Sequence, residues 1–328
     1  MHLDLSDEQR WLTDSVRTLL ARESDQWMAL VDFGALSIGL GAVELCLIAR
    51  ELGAHLAPVP YLASAAVHFA AEPLADDLGE RAVALAALDP GASWAAALEP
   101  AAGGDAVAGR AARELAADGR AAIEAVAGGH VVSGRKVAVE HAGSASLLAV
   151  VASGSDGPAL GVVGAAGAGV ALSPQRAFDE TAPVHAVELA EAPLLHEPLG
   201  DDALQRLAAI GALLAAAEAV GAAGRMLDDA CAYAAERRQF GRPIGSFQAL
   251  RHLLADLYVR QASSWSSVLY AAAALDEEAG EAERTVSIAK AYVARAAREV
   301  AHGAMQVFGG VAMTAEHSAH RFLRRSTT

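Results

Sequence analysis

The residues best suited to chemistry lie in the stretch ERRQFGRPIGSFQALRH, which runs from Glu236 to His252. An arginine can grip a pyrophosphate through paired, charge-assisted hydrogen bonds, so Arg237 is a candidate phosphate ligand. Gln239, Phe240 and Gln248 add two amides and an aromatic face, which suit a planar ring such as a nucleobase. The helix dipole alone also favours arginines at a helix C-terminus, and this is the structural alternative.

A second candidate stretch, QVFGGVAMTAE, runs from Gln306 to Glu316. Gly309 and Gly310 follow a predicted helix and leave the main chain bare, so a ligand can approach it closely. A glycine pair after a helix is also an ordinary C-cap, so this feature gains weight only beside the first stretch.

Three segments must position these two stretches. Residues 1–90 are predicted to form an N-terminal helical domain, residues 91–197 a central β-domain, and residues 198–328 a C-terminal helix bundle. The central segment has short β-branched runs at about ten-residue spacing with turn residues between them, which predicts a small antiparallel sheet or barrel. The expected fold class is therefore α+β.

Periodic apolar residues predict long helices in the flanking segments. Ala42 to Leu52 is one helix, which Gly53 is expected to end. Leu204 to Arg237 and Ala249 to Leu275 are two more, and their short links to a third helix predict an antiparallel bundle. The third helix places its apolar residues on one seam: Val286, Ala289, Val293, Ala296 and Val300.

The composition excludes several classes of function. A net charge of −15 over 328 residues argues against a nucleic-acid partner. Cys46 and Cys231 offer neither a disulfide framework nor a zinc spacing. Glu316, His317 and His320 have no further ligand beside them, so no metal site is predicted. The first residues are acidic where a signal peptide is basic, and charges interrupt the apolar runs; we expect a cytoplasmic protein without a membrane span.

Taken together, the two stretches resemble the acyl-CoA dehydrogenase family. The C-terminal signatures of that family are matched by YAAERRQFGRPIGSFQALRHLLADL and QVFGGVAMTAEHSAHRFLRR. Its opening helix is matched by LDLSDEQRWLTDSVRTLL, and its β-domain by VVSGRKVAVEHAGSASLLAVVA and FDETAPVHAVEL. The resemblance extends over nearly the whole chain and implies the same order of a helical domain, a small β-domain and a helix bundle.

The resemblance implies FAD as the cofactor and an acyl-CoA as the substrate, which is oxidised at its α,β carbons. It also implies that the ADP half of FAD crosses to a neighbouring subunit. The residues implied in that contact are Arg237, Gln239, Phe240, Gln248, Gln306, Gly309 and Gly310. Electron-transfer flavoprotein is an electron acceptor that fits the resemblance.

The implied reaction needs a carboxylate base to take the α-proton. The resemblance implies two places for it, a loop beyond Thr328 and the long helix at Gly211, and we expect neither to supply a carboxylate here. Glu218 lies seven residues after Gly211 on the same helix face and is a candidate relocated base. The alternative is a core carboxylate paired with an arginine. Glu316 is a further candidate, at a position the family treats as structural.

The predicted β-domain departs from the family pattern. In LEPAAGGD, Gly104 replaces a serine of the segment that lines the flavin, and Val137, Ala138 and Val139 stand where the family often has an aromatic residue and a hydroxyl. Arg135 and Lys136, just before them, are predicted to be surface charges, and the alternative is contact with a phosphate of CoA.

Small bacterial members of the family, including those of steroid degradation, work as α2β2 heterotetramers in which one subunit brings the base and the other an ADP clamp. We predict that this chain is the clamp subunit of such a hetero-oligomer, in lipid metabolism, with a homologous acyl-CoA dehydrogenase subunit as partner. Two alternatives stay open: a complete acyl-CoA dehydrogenase that uses Glu218, and a non-catalytic structural partner of a catalytic paralogue.

Overall fold

A computed structural model describes residues 4–37, 39–71, 74–87, 121–126, 129–155 and 157–326. The α-helices are α1 (Asp7–Arg22), α2 (Gln26–Asp32), α3 (Ala42–His55), α4 (Tyr61–Ala70), α5 (Ala75–Leu78), α6 (Asp201–Glu236), α7 (Gln248–Asp276), α8 (Ala282–Phe308) and α9 (Ala319–Arg325). Helices thus flank a central β-region, and the predicted α+β class is confirmed.

The central strands form one sheet with the order β1-β4-β2-β3-β7-β6, and β5 pairs with β4. They are β1 (Val83–Ala86), β2 (Ala121–Val126), β3 (Gly129–Glu140), β4 (Leu147–Gly154), β5 (Gly157–Gly164), β6 (Val170–Gln175) and β7 (Val184–Pro193). The sheet is mixed, which differs from the antiparallel prediction, because β1 and β2 both pair with β4 in parallel. Parallel strands must be joined by a long connection. The short, regular spacing of the predicted strands suggested hairpins, and it could not reveal the parallel pairs.

The chain divides into two compact units. One contains Met1–Ala29, Leu40–Ala57 and Ala212–Thr328, and the other contains Leu30–Gly39 and Pro58–Gly211. The residue ranges of these units differ from the three consecutive segments predicted from the sequence. The boundaries of those three segments stay a prediction.

In the helical unit, α3 and α6 pack with their backbones in contact. A Cβ at Gly53 would clash with the carbonyl oxygen of Glu218, and a Cβ at Gly221 would clash with that of Arg50. Gly53 therefore lies inside α3, which continues to His55, and does not end the helix as predicted. Close approach, and not a turn, is what requires glycine at these two positions.

The long helices of this unit follow the predicted periodicity. All five residues of the predicted seam on α8 are buried. α7 runs antiparallel beside α8, with Leu257 against Gly303 and the Arg260 guanidinium 2.8 Å from the Glu299 carboxylate. Among the described helices α6 is long and apolar enough to cross a membrane, but 61% of its apolar window is buried inside the fold. Such burial is typical of a core helix in a bundle.

Asp276, the last residue of α7, caps the N-terminus of α3. Its carboxylate accepts hydrogen bonds from the backbone N–H groups of Ala42 at 2.6 Å and Val43 at 3.1 Å. Burial raises the pKa of Asp276, although the two N–H bonds oppose that shift. This side chain satisfies two helix donors that would otherwise lack an acceptor.

We expect Asp276→Ala to lower the free energy of unfolding by about 1–2 kcal/mol, the usual cost of losing an N-cap acceptor. Asp276→Asn keeps one carbonyl oxygen and removes a buried charge, so it should cost less than alanine. Urea unfolding of the three proteins checks this order, and equal stability of the alanine variant and the parent would rule out the capping role.

Candidate functional site

The chain leaves α6 through a tight hairpin, formed by β8 (Arg238–Gln239) and β9 (Arg242–Pro243). Its two loop residues, Phe240 and Gly241, both have positive φ angles, 53° and 78°. A type I′ hairpin turn demands this backbone, which glycine adopts without strain and phenylalanine does not. The turn holds the Phe240 ring 91% exposed at the tip of the hairpin.

Arg237 has a backbone fixed by hydrogen bonds and a side chain without a partner among the described residues. Its N–H donates to the carbonyl of Tyr233 at 2.8 Å, and its own carbonyl accepts from the N–H of Ile244 at 2.7 Å. Its guanidinium is exposed and makes no hydrogen bond or ion pair with the residues that the structure describes. A rigid backbone therefore presents a guanidinium whose donors are all available.

The three amide side chains of the predicted site share this condition. Gln239 on β8, Gln248 at the start of α7 and Gln306 in the last turn of α8 are all exposed. Within the described part of the chain, none of the three amides has a hydrogen-bond partner. Polar side chains in folded proteins usually find hydrogen-bond partners, so three amides with none among the described residues favour a binding role.

The arginines next to Arg237 are held by the hairpin itself. Arg238 donates to the carbonyl of Gly241 at 3.3 Å, and Arg251 donates to the carbonyl of Gly245 at 3.0 Å. The Arg242 guanidinium lies 4.1 Å from the centre of the Phe247 ring, an energetically favourable cation–π distance. These contacts stiffen the turn that carries the candidate residues.

Phe247 is a residue of this site that the sequence reasoning did not single out. Its ring meets that of Phe240 edge-on, with ring centres 6.1 Å apart. The available signal was its position directly before Gln248, but an aromatic residue at a helix start is usually part of a core. The exposed hairpin shows instead that the two rings form one aromatic surface.

The glycine edge lies where α8 ends. Gly309 has a φ of 66°, and its N–H donates to the carbonyl of Met305. A Cβ placed on Gly309 or Gly310 would meet no atom within 4 Å, and both glycines are exposed. The main chain here is bare and open, as close approach by a ligand requires.

One hydrophobic core supports both stretches. The ring of Phe308, just before the glycine edge, lies 5.5 Å from that of Tyr233, in the last turn of α6. Ile244 after the hairpin and Leu250 at the start of α7 are partly buried and pack against the same core cluster, which contains Phe308. The structure therefore places the two predicted stretches at the same end of the helical unit.

Glu218 is engaged in an ion pair. Its Oε1 lies 2.6 Å from Nη1 of Arg325, and the side chains are 15% and 6% exposed, respectively. Lys290 is close enough for Glu218 to raise its pKa, although burial dominates and lowers it. This arrangement favours the structural alternative of a paired core carboxylate over a relocated base.

The other candidate base positions are also poorly equipped. Gly211 has no carboxylate, and a Cβ there would meet nothing within 4 Å. Glu316 is exposed, and hydrogen bonds to its own backbone N–H and to Thr314 lower its pKa. A lowered pKa weakens a general base.

The departures predicted in the β-domain are partly visible. The segment LEPAAGGD with Gly104 lies outside the described residues. β3 has an irregularity between Lys136 and Val139, where Ala138 has a φ of 53° and donates its N–H to Gln175.

Arg135 is exposed as predicted, but Lys136 is fully buried with Nζ 3.4 Å from the carbonyl of Ala87, so its prediction as a surface charge was wrong. The strand alternates its side chains, and neighbours in sequence face opposite ways.

His317 packs its ring against Phe308, with ring centres 4.6 Å apart, and accepts a hydrogen bond from the N–H of Ala319. Across the described ranges, no three side chains from His, Cys, Asp or Glu group into a metal site.

Comparisons with known proteins find a family match for the C-terminal helical region. Residues 200–328 match the family model for the acyl-CoA dehydrogenase C-terminal domain. Over these residues the chain is similar to the C-terminal domain of acyl-CoA dehydrogenases. The match contains every candidate residue of the hairpin and of the glycine edge.

Three relatives illustrate the likeness. Acyl-CoA dehydrogenase IpdE2 of Mycolicibacterium smegmatis is 44% identical over 128 residues, which are 39% of this chain and 39% of that protein. The structure of the ChsE4–ChsE5 complex from Mycobacterium tuberculosis matches with a TM-score of 0.80 and 25% identity, over 100% of this chain and 93% of that chain. The structure of PigA with FAD and proline matches with a TM-score of 0.79 and 19% identity, over 100% of this chain and 94% of that chain. At this identity the likeness concerns the fold alone. The sequence match thus spans well under half of the curated relative.

Proposed function

We propose that this chain is the FAD-clamp subunit of a hetero-oligomeric acyl-CoA dehydrogenase. One observation carries the proposal: a guanidinium and three amides, on Arg237, Gln239, Gln248 and Gln306, are exposed without a partner among the described residues, and the main chain at Gly309–Gly310 is bare. The match of residues 200–328 to the acyl-CoA dehydrogenase C-terminal domain supports the proposed reaction class.

The residues present fit the ADP half of FAD. Arg237 offers paired donors to a diphosphate, and the amides offer donors and acceptors to the edge of an adenine. Phe240 and Phe247 offer aromatic surface, and Gly309–Gly310 offers backbone without side chains. When bound, FAD supplies the hydride-accepting chemistry, and the protein supplies binding and alignment.

A partner subunit supplies the rest of the proposed site. The clamp side chains turn away from their own core and are accessible to another chain. Gly211 offers no carboxylate, and Glu218 is held by Arg325, so we assign the base to the partner. The ChsE4–ChsE5 relative is itself a complex of two different proteins. A role in steroid or other lipid degradation, electron transfer to an electron-transfer flavoprotein and a cytoplasmic location belong to this same proposal.

Co-expression with an acyl-CoA dehydrogenase paralogue from the same genome tests the proposal. We expect a hetero-oligomer with flavin absorbance, and a chain that alone turns over acyl-CoA about 10²–10⁴-fold more slowly, the usual loss without a general base. A colourless complex would favour the non-catalytic structural partner, and rapid turnover by the chain alone would favour a complete enzyme.

The glycine edge gives a prediction that separates ligand binding from folding. A Cβ on Gly310 meets nothing within the chain, and Gly310 has no positive φ, so Gly310→Ala should leave the unfolding temperature unchanged. The same methyl group would stand where the flavin nucleotide approaches, and we expect FAD affinity of the complex to fall about tenfold, or about 1.4 kcal/mol. Fluorescence titration with FAD measures the change.

Gly309→Ala is the matched comparison, because its φ of 66° strains any residue with a side chain. It should lower both stability and FAD affinity. Unchanged FAD affinity in Gly310→Ala would remove the glycine edge from the proposed clamp.

A further inference from the structure

α8 carries a cationic stripe whose arginines the proposed clamp does not use. The stripe consists of Arg284, Ile288, Tyr292, Arg295, Arg298, His302 and Gln306. Successive members lie three or four residues apart, so they share one face of the helix, opposite the buried seam. The stripe ends at Gln306, which is itself a residue of the clamp.

The three arginines of the stripe have no ion-pair partner in the described part of the chain. Arg284, Arg295 and Arg298 are exposed, and none forms an ion pair or hydrogen bond with any residue that the structure describes. Glu299 also borders the stripe, but Arg260 on α7 holds its carboxylate at 2.8 Å. The face therefore has a clear excess of positive charge on a chain whose net charge is −15.

The same face exposes apolar surface that water does not favour. Ile288 is 57% exposed and Tyr292 is 39% exposed, and both lie between the arginines. Protein interfaces are enriched in arginine and in aromatic residues such as tyrosine relative to the rest of the surface. Apolar side chains between unpaired arginines fit a protein partner better than they fit free solvent.

A second copy of this chain is a poor partner for the stripe. Two identical stripes would bring guanidinium groups together with no available carboxylate between them, and like charges facing each other in an interface oppose association. A surface of the opposite sign matches the stripe, and charge patterns of this kind select one partner against another.

We infer that the stripe docks an acidic helix face of the homologous partner subunit, with Asp or Glu at helical spacing opposite Arg284, Arg295 and Arg298. The inference rests on the proposed function, because Gln306 ties the stripe to a clamp that works across a subunit boundary. It adds a reason for hetero-oligomer formation: the charge of this face disfavours pairing with itself and favours a paralogue.

The test uses the complex of the full chain with the co-expressed acyl-CoA dehydrogenase paralogue. The double variant Arg295→Glu/Arg298→Glu should weaken the complex at least about tenfold, and rising NaCl should weaken the parent complex more than the variant. The matched control is Arg22→Glu/Arg176→Glu, since both arginines are exposed and without ion pairs in the described residues and the charge change is the same. Dissociation constants come from biolayer interferometry, and circular dichroism confirms folding.

Each result decides the inference separately from the FAD clamp. Equal affinities for the two double variants would overturn it, as would a tight homodimer of the parent chain that Arg295→Glu/Arg298→Glu disrupts. If no family paralogue forms a complex, the inference fails, and FAD titration of the chain alone then judges the clamp. A charge-dependent complex that binds no FAD would uphold the inference and defeat the proposed function.

Discussion

Replacing Arg237 with alanine should release FAD from the complex of this chain with its partner. A charge-assisted hydrogen bond contributes about 1.5–3 kcal/mol, so the expected loss of affinity is about 10- to 100-fold. The stability of the folded chain should not change, because the Arg237 guanidinium has no partner among the described residues. FAD titration of the complex and thermal unfolding of the chain together measure both expectations.

Two matched variants sharpen the result for Arg237. Arg237→Lys keeps the charge but loses the paired donors, so it should recover only part of the lost affinity. Arg238→Ala removes a neighbouring guanidinium that donates to the carbonyl of Gly241, and it should affect FAD much less. If Arg238→Ala weakens FAD as strongly as Arg237→Ala, the effect is a general one of positive charge, and the specific clamp is wrong.

The sequence predicted the helices well because their apolar residues repeat with helical spacing. The seam from Val286 to Val300 is buried as expected, and the predicted α7 differs from the structure by one residue at each end. Gly53 was wrongly predicted to end α3, because a glycine in a sequence indicates a helix end unless the neighbouring helix is known. Its real constraint is the carbonyl of Glu218, far away in the sequence, and local patterns carry no information about that contact.

The sequence could predict which residues form the candidate site, but it could not predict their arrangement in space. The stretch around Arg237 combines residue types that structural helices seldom need together, so its sequence alone indicates a binding role. The sequence could not show that Phe240 stands almost fully exposed on a type I′ turn, because phenylalanine is usually a core residue. The buried Lys136 is the converse case, since a charged side chain in a predicted hairpin is normally at the surface.

Replacing Glu218 with glutamine should destabilise the fold and leave the chemistry intact. Arg325 is 6% exposed, and the substitution would remove the carboxylate charge that lies 2.6 Å from its buried guanidinium. Breaking a buried ion pair in this way costs about 3–5 kcal/mol. Lys290 should add to the loss, because Glu218 now opposes the effect of burial on the pKa of that lysine.

The double variant Glu218→Gln/Arg325→Met provides the control, because it removes both charges of this ion pair and keeps only the effect on Lys290. We expect it to recover most of the stability lost in Glu218→Gln, since replacing a whole buried pair by neutral groups is often close to neutral. Denaturant unfolding measures the recovery, and turnover per folded complex should match the parent in both variants. A relocated base gives the opposite pattern, in which Glu218→Gln keeps the stability and the flavin but loses turnover, and the arginine substitution restores nothing. The ion pair with Arg325 at 2.6 Å is the reason to expect the first pattern.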